Sequence, residues 1–78
     1  MDVRKTLREI CVDVFNTSDF PMEDATTPET FPGWDSLEHI NLIDQITESF
    51  GIYIELEEMI EMNSIGAIIG VIERKLSE

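Results

Sequence analysis

All three prolines of the chain, Pro21, Pro28 and Pro32, fall between residues 17 and 35. Proline lacks a backbone donor and clashes with the preceding helical turn, so neither a regular helix nor a central strand runs through that stretch. Several Ser and Thr residues and Gly33 add turn character. The 78-residue chain is thereby cut into a leading segment that ends near Phe15 and a longer one that begins at Ser36. A loop of this length in so short a chain needs a reason, and function is a common one. The loop is not uniformly polar: Phe20, Met22, Phe31 and Trp34 can pin it to whatever lies beneath.

On both sides of the loop the apolar periodicity is helical. Val3, Leu7, Ile10, Val14 and Phe15 recur at helical spacing, and Asp2 stands before them as a cap. Ser36 to Phe50 reads as a second helix, with Gly51 placed to end it. Ile52, Tyr53 and Ile54 form a short extended link, and a strand there has no evident partner. Glu57 to Met62 holds a short helix. Asn63 or Ser64 then caps a last one, with Ile65, Ile68, Ile69, Ile72 and Leu76 on one side and Arg74 and Lys75 complementing the dipole at its end. Helices joined by loops, with no convincing strand pair, predict an all-α fold, a small bundle forming one domain over residues 1–78.

Composition narrows the function classes. At 42% hydrophobic the chain suits a folded globule. No apolar run approaches a membrane span, and no basic region followed by an apolar stretch suggests a signal peptide. Acids outnumber bases 17 to 5, for a net charge of -12. Nucleic acid and anionic membranes repel such a surface, whereas partners with basic patches are steered towards it. A single cysteine, Cys11, excludes an internal disulfide, fits a reduced cytoplasmic setting and reads as a half-buried structural thiol. The acids form no calcium-loop pattern and there is no Cys/His cluster, so no metal site is expected. Gly66 and Gly70 line one face of the last helix. They either admit a close neighbour or leave space for an interior guest.

The most informative stretch is "PGWDSLEHINLI", Pro32 to Ile43. Asp35 and Glu38 have capping-box spacing, which makes Asp35 the N-cap and Ser36 the first helical residue. Ser36 then lies beside free backbone amides at the positive end of a helix dipole, a setting that favours an anion such as a phosphate ester on its oxygen. A serine is also simply a good helix starter. On a helical wheel Ile40, Leu42, Ile43, Ile46 and Phe50 share one arc, while Glu38, Asn41, Asp44, Gln45 and Glu48 share the other. Leu37 falls within the polar arc, ringed by acids, as a docking contact would. Ser36 and His39 are helical neighbours, but His39 falls on the apolar arc and no third group orients it. The G-x-S-x-G elbow is missing and the chain has little room for a substrate pocket, so a hydrolase is not expected.

"GWDSLEHINLI", the acidic helix ending in "FG", and Ile54 resemble the acyl carrier protein family, whose attachment motif Asp-Ser-Leu stands here as Asp35, Ser36 and Leu37. The resemblance spans nearly the whole chain. It implies a four-helix bundle with a short third helix and a long loop between helices 1 and 2. It implies that Ser36 carries 4'-phosphopantetheine, transferred covalently from coenzyme A by a phosphopantetheinyl transferase, and that the arm's thiol holds an acyl group as a thioester. The protein would be no enzyme but a monomeric cytoplasmic carrier that serves acyl-transferring or ligating enzymes with basic patches. Leu37, Glu38 and Glu48 match recognition positions of the family's second helix, and Asp44 adds a charge on the same face by the wheel. Cys11 has no part in this chemistry. Ile40, Ile43, Ile46, Ile54, Met59, Met62, Ile68 and Ile69 would enclose an acyl chain or else serve only as core.

The chain also departs from the family's commoner patterns. Trp34 fills a position that is usually small, Asn41 and Thr47 stand where fatty-acid carriers often have acids, and Glu55-Leu56 replaces a common Pro-Asp pair. A dedicated carrier for a polyketide or specialised lipid pathway therefore fits as well as a fatty-acid role. A stand-alone peptidyl or aminoacyl carrier and an unloaded acidic helical adaptor are the alternatives.

Overall fold

A computed structural model describes residues 2–78. Four helices follow in order: α1 (Val3–Val14), α2 (Ser36–Phe50), α3 (Leu56–Glu61) and α4 (Ile65–Leu76). No strand occurs among the described residues. The fold is the expected all-α bundle with a short third helix and a long loop between the first two.

The helix boundaries follow from local chemistry. The Asp2 carboxylate accepts from the Lys5 amide at 3.1 Å and starts α1. Asn16, at φ 52°, turns the chain just past its end, a conformation asparagine tolerates better than most residues. Gly51, at φ 65°, stops α2 in the left-handed region, where a side chain would be strained. Ser64 accepts from the Ala67 amide at 3.1 Å and opens α4, which settles the choice between Asn63 and Ser64. Helix α3 begins one residue before the sequence expectation and ends one before it. The shift arises because Glu58 reaches back to the Glu55 amide at 2.9 Å and so makes Glu55 the cap.

The core is built from one side of each long helix. Leu7 and Cys11 of α1, Leu42 and Ile46 of α2, Met62, and Ile65, Ile68 and Ile72 of α4 are completely buried. Burying each large apolar side chain contributes about 1.5–3 kcal/mol before entropy is counted. Ile40 departs from its place on the apolar arc: it is 57% exposed, because the edge of the arc faces α3 across open space rather than the core. Cys11 lies deeper than the half-buried position expected of it, and desolvation pushes its thiol up to about 12.

The long loop is held from two directions. Phe15 stacks on Phe20 with centroids 5.2 Å apart and meets Phe31 edge-on at 5.2 Å. Phe20 and Phe31 are 4.8 Å apart, and Trp34 tilts against Phe15 at 5.9 Å. Each such pair is worth about 0.5–1.5 kcal/mol beyond its buried area. At the other side the loop backbone caps α4: the Ile65 amide donates to the Thr26 carbonyl (2.9 Å) and the Gly66 amide to the Asp24 carbonyl (3.1 Å). Arg4 fastens the same turn through the Met22 carbonyl at 3.0 Å and an ion pair with Asp24.

This approach accounts for Gly66. A Cβ there would lie 3.0 Å from the Asp24 Cβ and 3.2 Å from its carbonyl oxygen, whereas a Cβ on Gly70 would meet nothing within 4 Å. Both glycines line a surface groove with Asp2, Arg4 and Glu73. They make no room for an interior guest.

Helix α3 contains no buried residue. Met59 packs partly against the core, and Glu58 pairs with Lys75 at 2.7 Å and Arg74 at 3.0 Å, both near the end of α4. The hydrogen bond from Lys75, then the one from the Glu55 backbone, hold the Glu58 carboxyl down to about 2. The Glu58 hydrogen bond raises Lys75 in turn.

Two predictions arise from these contacts. Gly70→Ala should stabilise the protein by up to about 1 kcal/mol through helix propensity, while Gly66→Ala should forfeit that gain against Asp24; urea denaturation of the two variants compares them directly. For the α3 attachment, a carboxyl whose folded pKa lies below its ordinary 4.5 adds stability that is full above that value and fades as pH falls towards about 2. The stability advantage of wild type over Glu58→Gln should therefore be flat near neutrality and shrink below about pH 4.5, as read from denaturation midpoints across pH.

Candidate functional site

Asp35 and Trp34 together set the position of Ser36. The Asp35 carboxylate accepts from the Glu38 amide at 2.9 Å, which makes Asp35 the N-cap of α2 and Ser36 its first residue. Only this half of the expected capping box forms. Glu38 turns away from the Asp35 amide and accepts instead from the Asn41 side chain at 2.8 Å. Among the described residues no protein group takes the amides of Ser36 or Leu37, or the Ser36 hydroxyl. Ser36 is exposed, with its oxygen beside unpaired donors at the positive end of a 15-residue helix. These donors and the exposed hydroxyl suit a phosphodiester on Ser36.

Below Ser36 runs a groove of about 520 Å³ between α2 and α3. Ser36, His39 and Ile40 line one side of it, Met59 and Ile60 the other, with Pro28 and Trp34 from the loop. Of the residues expected to surround an acyl chain, only Ile40 and Met59 reach this groove. Ile43, Ile46, Ile54, Met62 and Ile68 are buried in the packed core instead. Pro28, Ile60 and Trp34 carry no local sequence signal for this role, because α3 and the loop reach the groove only through the tertiary fold.

The groove is floored by an unbroken polar chain. The Trp34 indole Nε1–H donates to His39 Nδ1 at 3.0 Å, and His39 Nε2 lies 3.0 Å from the Met59 carbonyl. An indole N–H only donates and a carbonyl only accepts, so the ring is held as its Nε2–H tautomer. Trp34 is 2% exposed, and its ring stacks on His39 with centroids 5.9 Å apart. Both nitrogens of His39 are thus engaged by partners other than Ser36. No imidazole nitrogen is hydrogen-bonded to the serine, a more specific arrangement than the edge-of-core position read from the wheel.

Leu37, Asp44 and Glu48 stand on the exposed face of α2, and Glu38 is half-buried beside them. Leu37 is 66% exposed. Leu56 and Ile60 of α3 are also exposed apolar residues, at 70% and 68%, which the sequence pattern did not single out. No Lys or Arg occurs between Arg8 and Arg74, so α2, α3 and the loop carry only acids among their charged groups. Among the described residues no cluster of His, Cys, Asp or Glu is arranged to hold a metal ion, and no helix is long and apolar enough to cross a membrane.

A scan against known family models finds no match, and neither does a search of curated proteins. Among solved structures, the chain is similar to the solution NMR structure of a holo acyl carrier protein from Geobacter metallireducens. The two share 26% sequence identity with a TM-score of 0.90, over 99% of this chain and 88% of that one. The four helices, with Asp35-Ser36-Leu37 at the entrance to the second, thus have the fold of that acyl carrier protein over almost the whole of this chain.

Proposed function

We propose that the protein is a carrier whose Ser36 oxygen is the attachment point for 4'-phosphopantetheine. The observation that carries this reading is an exposed serine at the first position of α2, on a fold matching that of a holo acyl carrier protein. When bound, the arm supplies a terminal thiol that holds an acyl group as a thioester. The chain's own residues do three things. Asp35 fixes the helix entrance and thus the direction of Ser36. The amides of Ser36 and Leu37 offer donors to a phosphodiester at the dipole's positive end. Leu37, with the acids Glu38, Asp44 and Glu48, presents an apolar contact ringed by negative charge.

This face suits partner enzymes with a basic rim and a small apolar pocket, the transferase among them. His39 is committed to Trp34 and Met59, so the base that takes the Ser36 proton during loading comes from the transferase. Residues 1–78 act as one carrier unit, monomeric and cytoplasmic, delivering acyl groups to fatty-acid, polyketide or specialised lipid enzymes. The acid-only surface of α2 and α3 supports the partner class and leaves the choice of pathway to the cargo.

Incubation with coenzyme A and a broad-specificity phosphopantetheinyl transferase should raise the intact mass by one arm. Ser36→Ala should show no gain, and His39→Ala should still load. A wild-type protein that stays bare would leave an unloaded adaptor as the better reading. Ester cleavage by the unloaded protein, lost in His39→Ala, would make it a hydrolase. Replacing Asp44 and Glu48 by Lys should slow loading several-fold at low salt and much less at high salt, as loading kinetics at two ionic strengths would show.

A further inference from the structure

The Trp34–His39–Met59 chain separates the groove beside Ser36 from the packed interior. On the groove side lie Ile40, Ile60 and Pro28. Behind Trp34 are Phe15 and the aromatic cluster that anchors the loop. An alkyl chain passing from Ser36 into the core beside Trp34 or His39 has to displace the indole or the imidazole. Either movement breaks a hydrogen bond at a buried polar group and leaves that group without a partner. Every buried side-chain nitrogen and oxygen among the described residues now has one. The opening would also part His39 from the Met59 carbonyl and so loosen α3, which buries no residue of its own.

We infer that this brace is a floor that keeps any group carried on Ser36 in the open groove and out of the core. It makes Trp34 and His39 specificity-determining residues. The cargo they favour is short or polar acyl and aminoacyl groups, whose first carbons find cover against Ile40 and Ile60. A long alkyl chain would extend from the groove into water, a cost that grows with each methylene. The inference rests on the proposed loading of Ser36 and adds to it where the cargo lies.

The test loads nitrogen-15-labelled protein from acetyl- and decanoyl-coenzyme A with a transferase and reads intact mass and backbone amide shifts together. Going from acetyl to decanoyl should move the amides of Ile40 and Ile60 and leave those of Ile46, Met62 and Ile68 within a line width. Movement of the three core amides in the wild type would overturn the inference. An absent mass gain would instead remove the carrier reading on which it stands, so the two failures are told apart. In decanoyl-loaded His39→Ala the core amides should move. A folded variant in which they stay still would show that His39 is not the barrier, and the wild-type comparison decides alone if the variant unfolds.

Discussion

The buried N–H of Trp34 is the constraint from which the functional end of this molecule is organised. An indole nitrogen is a donor only, and one left without an acceptor in an apolar setting costs about 1–3 kcal/mol. His39 supplies the acceptor from the first turns of α2, and doing so turns its other nitrogen towards the Met59 carbonyl on α3. One donor thus ties the loop, α2 and α3 together. The same ring fills the space between the loop's phenylalanines and the groove below Ser36. Placing a tryptophan immediately before the Asp35 cap therefore serves both the anchoring of a long loop and the shape of the site.

What could be read from the sequence was local chemistry. Asp2, Asp35, Gly51 and Ser64 each mark a helix end through bonds spanning a few residues, and each acts where its pattern placed it. The fold class followed, as did the position of Ser36 as the first residue of α2. The features that were not legible depend on partners far away in the chain. Gly66 is small because Asp24 crosses it, and nothing in a G-x-x-x-G spacing names that neighbour. Glu58 lies in an acidic run that looks uniformly solvated, yet it is held by Lys75 and Arg74 from the last turns of α4. Ile40 fits the apolar arc by angle but faces the groove, because the short α3 does not cover it. A wheel ranks direction within one helix and knows nothing of what stands opposite.

Charge is distributed with the same economy. The bases sit near the two ends of the chain, Arg4, Lys5 and Arg8 in α1 and Arg74 and Lys75 in α4. Arg4, Arg74 and Lys75 are engaged internally, fastening the loop and α3. Apart from Glu58, the acids of the intervening helices form no ion pair among the described residues, and exposed Leu37, Leu56 and Ile60 lie on the same two helices. Acids around an apolar patch discourage association between copies of this chain through like-charge repulsion while leaving the patch open to a basic partner. The internal ion pairs thus hold α3 and the loop in place and leave the acids of α2 without a cation of the chain's own.

The absence of reactive groups around Ser36 has a chemical meaning if the serine carries a thioester arm. Thioesters are activated towards amines, thiols and base-assisted water, so a carrier survives by keeping such groups from its cargo. His39, the one imidazole, has both nitrogens committed and can neither attack nor deprotonate water without giving up the brace. Cys11 is completely buried, with a thiol pushed up to about 12, and so offers no thiolate near neutral pH. Of the two lysines, Lys75 is bound to Glu58, and Lys5 belongs to α1 rather than to the helices that frame the groove. The interactions that hold the loop and α3 in place are therefore the same ones that leave the neighbourhood of Ser36 chemically quiet.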